Sequence, residues 1–137
     1  MANTTGLLLR RGLAASCPVC GGRGVFRRWV RMEERCPRCG LVFARSDGHW
    51  LGSWFLNICA SQIVVTVIVF VGFTVTYPHV DAVAVGLLAG VGAVVAPILF
   101  FPTSRMLWTA IDLAMRPLDF DDGVAPGWAL EHLHDER

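Results

Sequence analysis

Lysine is absent from this chain, and all twelve basic residues are arginine. Charge of either sign is missing from Gly48 to Val80 and again from Ala82 to Phe101. Stretches of that length without a charged side chain exclude an ordinary water-facing surface there. With 54% hydrophobic residues in 137, they point to a small integral membrane protein with room for one small soluble module. No nucleophile–base pair, catalytic carboxylate pair or phosphate-cradling glycine loop is visible, so the chain is not expected to be an enzyme. A secretory leader is not expected either. Leu7-Leu8-Leu9 is too short for a signal-peptide core, and Arg10-Arg11 follows it where the positive charge should precede. Leu13-Ala14-Ala15-Ser16-Cys17 resembles a lipoprotein cleavage box but lacks the hydrophobic region before it. Residues 1–16 therefore read as a lead-in whose leucines touch a membrane surface while its arginines meet phosphates.

Among the residues present, the organising feature is a repeated pentapeptide, Cys17-Pro18-Val19-Cys20-Gly21 and Cys36-Pro37-Arg38-Cys39-Gly40, with fifteen residues between Cys20 and Cys36. Each Cys-x-x-Cys turn supplies two soft ligands from one tight loop, so two turns close a tetrahedral metal shell. The glycine after each second cysteine permits the positive φ such a knuckle needs. The alternative, disulfides with one of five cysteines left over, fits the prolines and glycines less well than ligands held reduced in a cytosol. Zinc is the commoner occupant of a closed four-cysteine site, and iron in a rubredoxin-type centre is its rival. With sulfur at all four positions no coordination site stays open for substrate, which argues against catalytic zinc. Cys59 stands apart and is expected to pack as a small hydrophobe.

Residues 17–48 form the expected ribbon, with Val25-Phe26, Trp29-Val30 and Met32 as bulky strokes suited to hairpin arms. Fewer than about forty residues bury too little apolar surface to fold unaided, whereas a structural zinc contributes on the order of 10–16 kcal/mol. Metal binding and folding are then one equilibrium. Nine arginines against Glu33, Glu34 and Asp47 give the segment before the first span a charge of +6, while the chain as a whole carries +1. Arg23, Arg35 and Arg38 adjoin the ligands and offset the −2 of a zinc tetrathiolate. Arg10, Arg11, Arg27, Arg28, Trp29 and Arg31 are expected at an anionic lipid surface, a simpler use of tethered arginines than nucleic-acid binding.

The first transmembrane helix is expected over 49–77 and the second over 82–101, joined by Pro78-His79-Val80-Asp81. Ser53, Asn57 and Ser61 on the first and Gly86, Gly90 and Ala93 on the second recur at helical spacing, a packing face for the hairpin or for a homodimer. Arginine before the first span and just after the second places both termini in the cytoplasm and the His79 loop outside. Arg105, Thr109, Asp112 and Arg116 form one polar stripe over 104–116, expected as an amphipathic helix in the membrane interface, with Asp112 and Arg116 spaced to pair. Residues 117–137 read as an acidic flexible tail, with a turn around Trp128 to Leu133 and no metal site from His132 and His134 alone.

Taken together, Arg11-Gly12-Leu13, the first knuckle with Gly22-Arg23-Gly24-Val25-Phe26, the second knuckle, and Asp47-Gly48-His49-Trp50-Leu51-Gly52 resemble the bacterial domain-of-unknown-function family 983 over residues 10–116. The resemblance implies a small bacterial inner-membrane protein without assigned activity, with some relatives associated with cytochrome oxidase assembly genes. The expected architecture is a four-cysteine zinc ribbon on a two-helix membrane hairpin followed by an amphipathic helix, acting as an interaction or assembly factor for an unidentified membrane protein partner. An iron electron carrier and a membrane-tethered nucleic-acid binder are the alternatives.

Overall fold

The computed structural model describes residues 2–45, 47–116, 118 and 122–125. The elements run α1 (Ala2–Leu13), β1 (Phe26–Arg28), β2 (Arg31–Met32), α2 (His49–Thr76) and α3 (Ala82–Met115). The expected layout of a short β ribbon followed by two long apolar helices is present. The described residues fall into two compact units, one comprising those up to Ser53 and from Pro102 onward, the other Trp54–Phe101.

In the first unit the ribbon is a pair of hairpins. β1 and β2 are antiparallel, with Phe26 opposite Met32 and Arg28 opposite Arg31, and Glu33 N–H to Val25 C=O extends the pairing. A second, shorter hairpin is marked by the Arg35–Val42 bridge and by Phe43 N–H to Glu34 C=O, and it encloses the second knuckle. Val25, Leu41 and Phe43 are fully buried between the hairpins and pack with Met106 and Leu113 of α3. α1 approaches α3 closely, since a Cβ on Gly12 would lie 2.9 Å from the Met106 carbonyl oxygen and 3.0 Å from Ala110 Cβ. At Gly48, φ of +75° turns the chain into α2, as the Asp47-Gly48 dipeptide suggests.

Residues 104–115 continue α3 without a break, with Arg116 just beyond its end, and Pro102 is buried within the helix. Of the polar stripe of this segment, Asp112 meets the ribbon, Arg105 lies over the Trp50 ring and Arg116 is exposed. Ser104, Thr109 and Asp112 are buried, while Met115 is exposed. Periodicity marks a stripe but not the medium it faces, and here the ribbon and α2 supply polar partners. Ser53 Oγ lies 3.4 Å from Ser104 Oγ, and Asp112 meets Arg45 instead of Arg116.

The second unit is the pair of helical segments within α2 and α3. Both helices are long and apolar enough to cross a membrane. At about 1.5 Å per residue the 28 residues of α2 and 34 of α3 reach about 42 and 51 Å, beyond the ~30 Å of a hydrocarbon core. Asp81 starts α3 by accepting the amides of Val83 and Ala84 at 3.2 and 3.1 Å, the helix-initiating role of a short acidic side chain. Phe70, Val75, Leu87 and Val83 are among many large apolar side chains left exposed. The segment around Trp128 to Leu133, with His132 and His134, lies outside the described residues.

Candidate metal centre

The two knuckles are built alike because their sequences are alike. Gly21 N–H bonds to Cys17 C=O at 2.8 Å and Gly40 N–H to Cys36 C=O at 3.0 Å. Each loop is then closed from outside, by Cys17 N–H to Gly22 C=O and by Cys36 N–H to Leu41 C=O. Gly21 and Gly40 take φ of +66° and +80°, the left-handed conformation that a Cβ disfavours.

This local geometry brings all four sulfurs within 4.8 Å of one another. Cys17 Sγ lies 3.7 Å from Cys39 Sγ, and Cys20 Sγ lies 3.6 Å from Cys36 Sγ. A tetrahedral ion with metal–sulfur bonds of about 2.3 Å has a sulfur–sulfur edge of about 3.8 Å, so the set fits one metal ion. The distances are too long for disulfides, whose sulfurs lie about 2.05 Å apart. The four cysteines are at most 7% exposed, and Gly22 N–H points at Cys20 Sγ at 3.3 Å. Sulfur alone faces the centre of this set, and the surrounding loops bury it.

The thiols also show why a cation belongs among them. Cys17 is pushed upward by sharing its proton with Cys39 and then by burial, and burial raises Cys20 to about 11. Cys39 is held below its ordinary value, chiefly because Cys17 donates to it. Four thiolates this close repel one another and lack solvent, so full deprotonation needs a positive ion at their centre.

Around the knuckles, Arg11 is turned inward onto the first. Its Nη1 donates to the carbonyls of Pro18 at 3.1 Å and Val19 at 2.6 Å, which ties α1 to the loop instead of leaving this arginine for a lipid surface. Arg38 lays its stem over Gly22, whose added Cβ would lie 3.3 Å from Arg38 Cδ. Arg10, Arg27, Arg28, Trp29 and Arg31 are exposed, with Arg27 paired to Glu33. Val30, 66% exposed, joins Trp29 at the tip of the first hairpin.

Of the expected helix-packing residues, Ser53 meets Ser104, Asn57 Nδ2 donates to the Pro97 carbonyl at 3.1 Å, and Ser61 Oγ returns to the Asn57 carbonyl. Gly86, Gly90 and Ala93 are exposed and point away from α2, and a Cβ on either glycine would meet nothing within 4 Å. The close glycines are Gly92, where a Cβ would come within 2.5 Å of Ile68 Cδ1, and Gly72, where it would come within 2.9 Å of Val85. Val85, Ala89, Gly92 and Ala96 carry the same helical period as the expected stripe, and the period alone does not choose between the two faces. Cys59 is half-buried on α2 and is not among the metal-ligating group.

A cluster that the sequence does not reveal sits beside the ribbon. Arg45 holds Asp122 through Nε and Nη2 at 2.8 and 2.7 Å, Asp112 through Nη1 at 3.3 Å, and the Arg116 carbonyl at 2.9 Å. His49, buried, places Nδ1 3.9 Å from Asp112 Oδ2. Partners 67 and 77 residues apart leave no local spacing to read.

Comparison with known families matches residues 26–112 to the family described as "Protein of unknown function (DUF983)". The match starts after the first knuckle, a shorter span than the resemblance over 10–116, and includes the second knuckle, α2 and most of α3. Comparison with curated proteins and with solved structures gives no match. By a match that covers well over half of its length, with the second cysteine knuckle and both long apolar helices inside it, the chain belongs to the DUF983 family.

Proposed function

We propose that this protein is inserted through α2 and α3 in the cytoplasmic (inner) membrane of a bacterium, that its four cysteines hold zinc, and that the ribbon serves as an interaction or assembly factor for a membrane protein partner. The observation that carries this reading is the closed metal set, four sulfurs that are mutually close and buried. Such a centre builds a surface and offers no reaction site, so the activity resides in what the ribbon binds. The apolar side chains exposed along the Trp54–Phe101 unit support membrane insertion, because water would solvate that surface poorly. Nine arginines before α2, and Arg105 and Arg116 late in or just beyond α3, support cytoplasmic termini. Exposed Arg10, Arg27, Arg28, Arg31 and Trp29 suit contact with anionic lipid. The family resemblance points to a respiratory oxidase as the class of partner.

The test is metal analysis and the ultraviolet–visible spectrum of detergent-purified protein. One zinc per chain and a colourless spectrum are expected, retained in Cys59→Ala and lost in Cys36→Ser. The colour of a ferric tetrathiolate would instead make the protein a membrane-tethered electron carrier. Salt-sensitive retention of RNA or DNA by the zinc-loaded protein would favour nucleic acid over a protein partner. For topology, His79→Cys in a Cys59→Ala background should react with an impermeant thiol reagent in intact cells while tags at both termini stay protected. An externally accessible amino terminus would overturn the cytoplasmic placement.

A further inference from the structure

Asp122–Ala125 follow α3 and lie beyond the residues matched to the family. They nevertheless run along the outer edge of the second knuckle's hairpin. Val42 N–H donates to Asp122 C=O at 3.1 Å, and Ala125 N–H donates at 2.9 Å to the carbonyl of Cys39, itself a candidate ligand. Between these bonds Gly123 takes φ of +70° and lies against Gly40, on which a Cβ would fall 2.6 Å from the Gly123 carbonyl oxygen. Val124 packs on the ribbon core. The Asp122 carboxylate is gripped on both oxygens by Arg45, so the segment is fastened to the knuckle at one end and anchored by a two-pronged ion pair at the other.

We infer that Asp122–Ala125 is a strap whose docking depends on metal in the centre, so that metal occupancy decides whether these four residues are held on the ribbon or released. The inference rests on the reading that the four cysteines bind a metal. Its physical basis is the position of the bonding groups. The acceptor is the carbonyl of Cys39, and the donor is the amide of Val42, three residues later, in a hairpin that closes around two ligands. A ribbon of this size keeps those groups in register only while the metal holds the knuckle shut. Linkage makes the effect mutual, and a strap that docks only on the loaded knuckle must slow metal loss by as much as metal favours docking.

The experiment uses the full-length chain in detergent micelles, loaded with zinc or with cobalt, whose thiolate charge-transfer band reports occupancy. Amide hydrogen exchange follows the strap at Ala125 and Val42, with Glu33, bonded to Val25 in the other hairpin, as the internal control. Asp122→Ala should retain one metal per chain, release it to a chelator about tenfold faster, and expose Ala125 to exchange, with Glu33 unchanged. Asp122→Asn, which keeps the shape and loses the charge, should fall between Asp122→Ala and the parent. Chelating the parent should deprotect Ala125 and Val42. If Asp122→Ala frees Ala125 yet loses metal at the parental rate, or Ala125 stays protected after chelation, the coupling is refuted while the metal reading stands. If the parent takes up no metal, both are refuted.

Discussion

Replacing Arg45 with methionine is the sharpest test of how the first unit is held together. The side chains of Arg45, Asp112 and Asp122 are only 10–11% exposed, so the cluster belongs with buried ion pairs and not with surface pairs worth about 0–1 kcal/mol. Removing one partner of a buried pair costs about 3–5 kcal/mol, because the remaining charge is left without compensation. Arg45→Met removes the guanidinium that Asp112 and Asp122 share and the donor to the Arg116 carbonyl. The expected loss is at least about 3 kcal/mol, against the 5–15 kcal/mol stability of a typical domain. Arg45→Lys keeps the charge but not the fork that reaches both Asp122 oxygens, so it should fall between. The triple variant Arg45→Met, Asp112→Asn, Asp122→Asn carries no unpaired charge and should recover about 2 kcal/mol or more of the loss. The assay is urea unfolding of the metal-loaded protein in micelles in a Trp54→Phe, Trp128→Phe background, which leaves the emission of Trp29, Trp50 and Trp108 to report on the ribbon unit. A stability for Arg45→Met within about 0.5 kcal/mol of the parent would refute the argument and return these residues to the class of solvent-screened pairs.

Two further outcomes are expected. Without metal, Cys17 and Cys20 are raised and keep their protons at neutral pH, so metal entry must expel at least those protons. Affinity then rises with pH and weakens by about a hundredfold or more for each unit of acidification below neutrality, as competition against a chelator across pH would measure; a flat profile would exclude thiolate ligation. Gly52→Ala would place a methyl 2.1 Å from Trp108 Cε2. The rigid indole must move, which should cost about 1–3 kcal/mol in thermal unfolding and be relieved by Trp108→Leu.

The four-cysteine cluster was legible because its geometry is local. Two pentapeptides carry the cysteines, the turn glycines and the closing amides, and Gly21 and Gly40 adopt the positive φ expected of them. The two long helices were legible for a comparable reason, since runs without charge need no partner to identify them.

What the sequence determined by itself was therefore the succession of elements and the grouping of four cysteines: two matching knuckles, a basic ribbon, and two apolar helices. Tertiary structure decided which face of each element is covered. It turned Asp112 toward Arg45, chose Gly92 over Gly90 for the close helix contact, took Arg11 from the surface to the first knuckle, and laid Asp122–Ala125 on the second. The physical reason is common to all four. A period or a composition states that a side chain needs a partner, and only the fold states which partner is within reach when that residue lies far away in the chain.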